Sequence, residues 1–484
     1  MSGIFGAVSK SDCSRLIYYG VDYHSHLGTE YGGIAILGED GFKRQIHNIS
    51  QSQFKSKFFE DINKMSGNKG IGVISDLDEQ PVYQNSKFGP FCIVTNGHLE
   101  NTQYLADKMF KKGIAFSEVS KGGINMTELI AKQLIQEDDL VSGIEKVFNN
   151  IDGSCSLLLL NEDGIYAARD RLGYSPLVIG KKEGAFAVTT ESSVFTNLGF
   201  DIVKFLMPGE IVLITLDGIV TRRKGNDNMQ ICAFLWIYTG FPASHYEGIN
   251  VELVRERCGR FLALRDKRDK GLNIDMVSGI PDSGTAHAVG YAMESGKPFR
   301  RPLIKYTPGY GRSYTPPTQE MRNLIAPMKL IPIRDIIEGN SIAICDDSIV
   351  RGTQLRNFTV KKLWDCKASE IHARISCPPL MFPCKFNLST RTRSELAARR
   401  AIHALEGHDL EDVSDYLNPD TEKYQKMVFW IANDIGVTTL KYQSLDDMVK
   451  AIGLPREKLC LDCWEGHQQC REIKKSSMTS VKST

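Results

Sequence analysis

Apolar residues in the first half of the chain come in short runs, each closed by glycine or a polar turn. Gly32 to Leu37, Ile71 to Val73, Cys92 to Thr95, Ser156 to Leu160, Ala185 to Thr190 and Ile211 to Thr215 are of this kind. Their length and bounding turns predict antiparallel strands between residue 2 and about 225. Between about 246 and 385 the rhythm changes. An apolar run, Ile274 to Val277, precedes a helical pattern, Ala286 to Glu294, and Ile342 to Ile344 precedes another, Gln354 to Trp364. Strand, loop and helix in succession predict a parallel sheet covered on both faces. Beyond Ser394 the pattern is helical and charged, and it ends in a polar tail after Cys470 that is expected to be disordered.

Composition narrows the class. A chain of 484 residues is too long for one core, and length alone suggests about three domains. With 42% hydrophobic and 24% charged residues it reads as an ordinary globular protein. A net charge of +1 argues against nucleic acid as a partner. No apolar run approaches the ~20 residues of a membrane-spanning helix, and Met1 to Gly6 has no basic leader before an apolar stretch, so the cytoplasm is the expected location. Twelve cysteines in such a chain read as free thiols, metal ligands or a cluster site rather than a disulfide framework.

The densest chemistry lies in residues 341–356, Ser-Ile-Ala-Ile-Cys-Asp-Asp-Ser-Ile-Val-Arg-Gly-Thr-Gln-Leu-Arg. The run Ile342, Ala343, Ile344 reads as a buried parallel strand, and Asp346 and Asp347 sit at its C-terminal edge, where open α/β sheets bind ligands. Ser348 to Thr353, including Arg351 and Gly352, can turn backbone N–H groups and two hydroxyls toward one phosphate at the start of the next helix. Carboxylates beside a phosphate cup repel the ligand unless they bind its sugar hydroxyls. An Asp-Asp-Ser turn alone is more often a simple turn and cap.

The whole string resembles the phosphoribosyl pyrophosphate (PRPP) signature of type I phosphoribosyltransferases, in the form found in the amidophosphoribosyltransferase family, which opens purine biosynthesis. That resemblance implies further site residues. Pro281-Asp282-Ser283-Gly284 is similar to the family's pyrophosphate loop. Gly311-Arg312-Ser313-Tyr314, with Gln319, Arg322 and Lys329, resembles the loop that closes over the substrate. Lys305 matches the lysine before that loop, although the segment between carries one extra residue. Arg312, Lys329 and a Mg²⁺ ion near Asp346 and Asp347 are then expected to neutralise the departing pyrophosphate.

The first half resembles the class II glutamine amidotransferase domain, an N-terminal-nucleophile fold. Gly3-Ile4-Phe5-Gly6, Asn96-Gly97-His98-Leu99-Glu100-Asn101 and Asp152-Gly153-Ser154 carry the likeness, with Asn96 and Gly97 at the oxyanion hole. The family begins with cysteine, and this chain has Ser2, exposed as nucleophile only once Met1 is removed. An alcohol ionises far less readily than a thiol. Ile74-Ser75-Asp76-Leu77 replaces the family's Arg-Tyr-Ser-Thr, and Asn125-Met126-Thr127-Glu128 replaces its Ser-Asp-Thr-Glu, so both charged anchors for glutamine are missing. Cys13, the nearest thiol, has no α-amine of its own to serve as base.

Cys460-Leu461-Asp462-Cys463, with Cys232 and Cys384, matches the four [4Fe–4S] ligands of one branch of the family. Zinc and unliganded thiols remain open readings of the same set. The resemblance as a whole implies an α+β N-terminal-nucleophile sandwich (αββα) over 2–225, an α/β type I phosphoribosyltransferase domain over 246–390, a helical segment over 391–470 and a disordered tail over 471–484. It implies a homo-oligomer that displaces pyrophosphate from PRPP with an amine, its glutaminase lost or weak. A non-catalytic PRPP-binding paralogue and a glutamine-dependent enzyme using Ser2 are the alternatives.

Overall fold

The computed structural model describes residues 2–118, 120, 123–269, 271–306, 330–353, 355–386 and 392–466. Arg312, Lys329 and the rest of their expected loop, Cys470 and the tail over 471–484 lie outside the described residues.

Two antiparallel sheets build the first half. One has seven strands, with Gly3–Ser9 in its interior between Ala185–Thr189 and Lys69–Ser75; the other has six, with Phe91–Leu99 paired to Gly153–Asn161. Alternation along each strand sorts its residues into layers. Ile4 and Val8 meet Leu158, Leu160, Ile165 and Val212 between the sheets. Phe5 and Ala7 face the other way, onto Ile17 and Val21 of helix Ser14–Asp22 and Phe54 and Phe58 of helix Phe54–Ile62. Leu157 and Leu159 similarly turn to helices Met126–Leu134 and Leu140–Asn150. Four layers, helix, sheet, sheet and helix, result. Burial on both faces is why these strands read as nearly unbroken apolar runs.

The second half holds a four-stranded parallel sheet in the order Met276–Gly279, Ser341–Asp346, Glu370–Ile375, Thr439–Tyr442. Helices Val251–Arg268 and Thr285–Ser295 cover one face through Leu262, Ala263, Ala288 and Tyr291, packed on Val277, Ala343 and Cys345. Ile342 and Ile344 turn to the opposite core, shared with helices Ala397–Glu406 and Glu422–Ile435. The helix expected from Gln354 onward differs in its winding. Leu355–Val360 forms a wide π-helical turn before the α-helix Lys361–Asp365. Leu355, Thr359, Val360 and Leu363 are buried along this stretch.

Buried polar groups join the halves. Glu191, almost fully buried, accepts hydrogen bonds from Tyr246 Oη at 2.6 Å and from Ser244 Oγ, and stands 3.3 Å from His26 Nε2. Arg169, with no exposed surface, pairs with Glu247 at 2.7 Å. Within the second half, Asp266 on helix Val251–Arg268 pairs with Arg374 Nε at 2.5 Å and Lys441 Nζ at 2.7 Å, and accepts from Tyr291 Oη at 2.6 Å. Burial pushes the Asp266 carboxyl up, but the Arg374 charge and these hydrogen bonds outweigh it and hold it below its ordinary value.

Replacing Asp266 by alanine strands the buried Arg374 guanidinium and should cost about 3–5 kcal/mol. Trp364, Trp430 and Trp464 lie in the second half, and Trp236 packs into its core, so a lower denaturant midpoint by tryptophan fluorescence is the readout. A lowered folded-state pKa stabilises fully above the ordinary carboxylate range and is lost as pH falls through the folded value. The difference between Asp266→Ala and the native protein should therefore shrink in acid.

Candidate active site and thiol cluster

Two adjacent parallel strands end at the same edge and bring the expected loops together. Gly279 lies in register with Cys345, so the loop after the first strand meets Asp346 after the second. Ser283 Oγ donates to Asp346 Oδ1 at 2.9 Å, and the Asp347 N–H donates to the same oxygen at 3.0 Å. Ser348 Oγ donates to Asp347. Gly284 is required here, because a Cβ would lie 2.0 Å from the Cys345 carbonyl oxygen. Asp282 is exposed and pairs with Lys305 Nζ at 2.6 Å, which joins the lysine predicted from sequence to the pyrophosphate loop.

Electrostatics single out the two aspartates. Burial pushes both carboxyls up, and the Asp347 charge raises Asp346 further. A buried carboxylate pair raised in this way calls for cations or hydroxyl donors. Arg255 supplies one charge from below. It is 4% exposed, its charge interacts with Asp347, and its guanidinium donates to the carbonyls of Trp236, Tyr238 and Gly240 at 2.9, 3.0 and 2.8 Å. A lone arginine in a helix gave no signal in the sequence. A cavity of about 240 Å³ adjoins the loop, lined by Asp282, Thr285 and Phe299 together with Arg301, a second cation that sequence reasoning passed over.

The cup from Ser348 to Thr353 turns at Gly352, whose φ is +76°. Thr353 is exposed. Arg351 turns away from the cup, and its Nε donates to Glu395 at 2.7 Å. The Ala397 N–H donates to the Val350 carbonyl at 2.8 Å and Arg400 to the Arg351 carbonyl at 2.8 Å, so the C-terminal helices brace this loop.

In the first half, Ser2 lies buried at the end of the central strand. Its backbone nitrogen donates to Asn96 Oδ1 at 3.3 Å, and its hydroxyl donates to Ser75 Oγ at 3.2 Å. Gly97 follows with φ of +152°, where a Cβ would meet the Ser154 carbonyl oxygen at 1.9 Å. The expected nucleophile, Ser2, and the expected oxyanion pair are thus adjacent. Around them Ile74 is core, and Asp76 accepts from the Thr29 N–H at 2.6 Å. Asp78, raised by burial, accepts from the Met126 N–H at 2.8 Å. Cys13 is buried away from solvent and pushed up to about 12 by that burial.

The four predicted cysteines gather between the halves. Ile231–Cys232 and Leu459–Cys460 pair as parallel strands, with Cys232 opposite Cys460. Cys463 shares a hydrogen bond with Cys384, which together with burial raises its thiol well above the ordinary value. Burial, then the charge of Cys384, pushes Cys232 up to about 12. Tyr174 stands among them: its hydroxyl is 3.0 Å from Cys460 Sγ, and its own pKa rises through burial and then through Cys460, Cys232, Cys384 and Cys463. Four convergent thiols fit a thiolate-held group, because a cation displaces the protons that burial otherwise retains. Among the described residues, no three His, Cys, Asp or Glu side chains are spaced to hold a single metal ion.

Comparison with known proteins agrees with both halves. A family described as a glutamine amidotransferase domain matches residues 70–197. The amidophosphoribosyltransferase of Methanocaldococcus jannaschii is 31% identical, over 96% of this chain and 97% of that protein. The amidophosphoribosyltransferase of Bacillus subtilis is 29% identical over 96% and 93%. The solved structure of the glutamine PRPP amidotransferase from B. subtilis, complexed with ADP and GMP, superposes with a TM-score of 0.81 at 28% identity and covers 96% of each chain. The fold is the αββα N-terminal-nucleophile sandwich followed by a phosphoribosyltransferase domain. At this identity, over nearly the whole length of both chains, the chain belongs to the amidophosphoribosyltransferase family.

Proposed function

We propose that this protein transfers ammonia to C1 of the ribose of PRPP, forming phosphoribosylamine and releasing pyrophosphate, with little or no glutaminase of its own. The C–N bond forms as the C–O bond to pyrophosphate breaks, and the surplus proton passes to solvent. The observation that carries this reading is the junction of Ser283, Asp346 and Asp347 at one sheet edge. In it Asp346 and Asp347 hold the ribose hydroxyls, and Ser348 to Thr353 receive the 5-phosphate. Asp282, Ser283, Gly284 and Lys305 hold the pyrophosphate, with Arg312 and Lys329 completing its neutralisation. Mg²⁺ bound with PRPP supplies further positive charge to the leaving group.

The amide-handling half supports ammonia over glutamine. Its expected nucleophile is the Ser2 hydroxyl, which is hydrogen-bonded to Ser75. The two missing anchors each correspond to about 1.5–3 kcal/mol of charge-assisted binding. Under this reading Cys232, Cys384, Cys460 and Cys463 hold a [4Fe–4S] cluster that ties Cys232 to the C-terminal segment, and the protein works as a homo-oligomer in the cytoplasm. The chain divides near 225, 246 and 390, as the sequence pattern suggests.

A paired assay tests the division of labour. With PRPP and Mg²⁺, pyrophosphate release should be much faster with NH₄⁺ than with an equal concentration of glutamine. Glutamate release that tracks PRPP use and is abolished by Ser2→Ala would instead establish Ser2 as the working nucleophile. Tight PRPP binding with no turnover on any amine would make the protein a PRPP sensor.

Asp347→Asn, which keeps shape and removes charge, should lower kcat/KM for PRPP about ten- to hundredfold, the loss of one charge-assisted contact. Anaerobically purified protein should contain iron and acid-labile sulfide in equal amounts, and Cys460→Ser should lose both.

A further inference from the structure

One residue of the first half touches every segment that carries a candidate cluster ligand. The Tyr174 carbonyl accepts from the Cys232 N–H at 3.2 Å. Its hydroxyl lies 3.0 Å from Cys460 Sγ. Its ring packs on Phe386, two residues after Cys384, with centroids 4.0 Å apart. Tyr174 is 6% exposed. The loop beneath it is rigidly held: Asp170 Oδ1 accepts from the N–H groups of Leu172 and Tyr174 at 3.1 Å each, and the Asp170 N–H donates to Ser156 Oγ at 3.2 Å. Ser156 is the register partner of Asn96.

With both groups protonated, either the phenol or the thiol can donate across the 3.0 Å contact. Metallation removes that ambiguity, because a ligating thiolate has no proton and only the phenol can donate. Hydrogen bonds to cluster sulfurs stabilise the more negative, reduced state and so raise the reduction potential. The enclosed ring also lies over the site on the side of the first half.

We propose that Tyr174 is a positioning residue for the four-thiol site, its hydroxyl donating to the Cys460 sulfur so as to raise the potential of the bound cluster while its ring shields the cluster from oxygen. This rests on the cluster reading given above.

The test compares native full-length protein with Tyr174→Phe, which keeps the ring and removes one oxygen, both purified anaerobically. Iron and sulfide are counted first. The one-electron reduction of the cluster is then titrated with dithionite and followed by electron paramagnetic resonance, and bleaching of the cluster absorbance is timed in air. Equal iron and sulfide, a midpoint shifted to more negative potential and, because the ring is kept, an unchanged bleaching rate are expected for Tyr174→Phe, whereas Tyr174→Leu, which removes the ring, should bleach faster. A further variant carrying 3-fluorotyrosine at position 174, a stronger donor, should move the midpoint the opposite way. An unchanged midpoint in a protein with full iron and sulfide overturns the role of Tyr174 and leaves the cluster reading intact, as does a shift in the same direction by Tyr174→Phe and the fluorotyrosine variant. Absence of iron and sulfide from the native protein overturns both.

Discussion

The pair of carboxylates at the end of strand Ser341–Asp346 is the constraint on which the second half is built. Placing Asp346 and Asp347 side by side, with Asp347 4% exposed, is costly unless donors and cations surround them. The surroundings are arranged accordingly: Ser283 from the neighbouring strand end, the Asp347 N–H, the Ser348 hydroxyl, and the buried Arg255 beneath. Arg255 is in turn held by three carbonyls of the segment Trp236 to Gly240, which leads in from the cysteine-bearing strand. Chemistry at the sheet edge and packing at the junction of the halves are thus parts of one polar framework.

The first half has the scaffold of a glutamine amidotransferase domain, with Ser2, Asn96 and Gly97 brought together at one strand end. Strand Gly3–Ser9 places the residue before it, Ser2, beside Asn96 and Gly97, because the sandwich packing of Ile4, Phe5, Ala7 and Val8 fixes where that strand begins. Packing does not depend on the terminal side chain, so a thiol can be exchanged for an alcohol without disturbing the layers. At the two positions where the family's anchors for glutamine are expected, Ile74 packs in a core and the Met126 N–H donates to Asp78, while nearby Asp76 accepts from the Thr29 N–H.

Short-range patterns were readable without coordinates where a single element decides the outcome. The runs at Gly32 to Leu37, Ser156 to Leu160 and Ile342 to Ile344 are strands, and Thr285–Ser295 is a helix, because burial on fixed faces leaves its period in the residue order. The two loops at the sheet edge were readable for the same reason, each being a contiguous string whose glycines and hydroxyls serve the local turn. The helix after the phosphate loop was harder. Its composition suits an α-helix, and nothing in the residue order marks the wide π-helical turn at Leu355–Val360.

By its residues alone the chain determined strand and helix content, the paired aspartates with their glycine-bearing loops, Ser2 before the first strand and the set of cysteines. Tertiary structure alone decided which distant groups meet. Arg255 lies 92 positions before Asp347, and Tyr174 lies 286 before Cys460. Neither pairing has a local signature, because a buried arginine and a buried tyrosine look like surface and core residues until the layers close around them. Packing of the apolar layers buries both groups, and their mutual contacts offset the cost of desolvating them, which depends on how the sheets pack rather than on the order of residues along either segment.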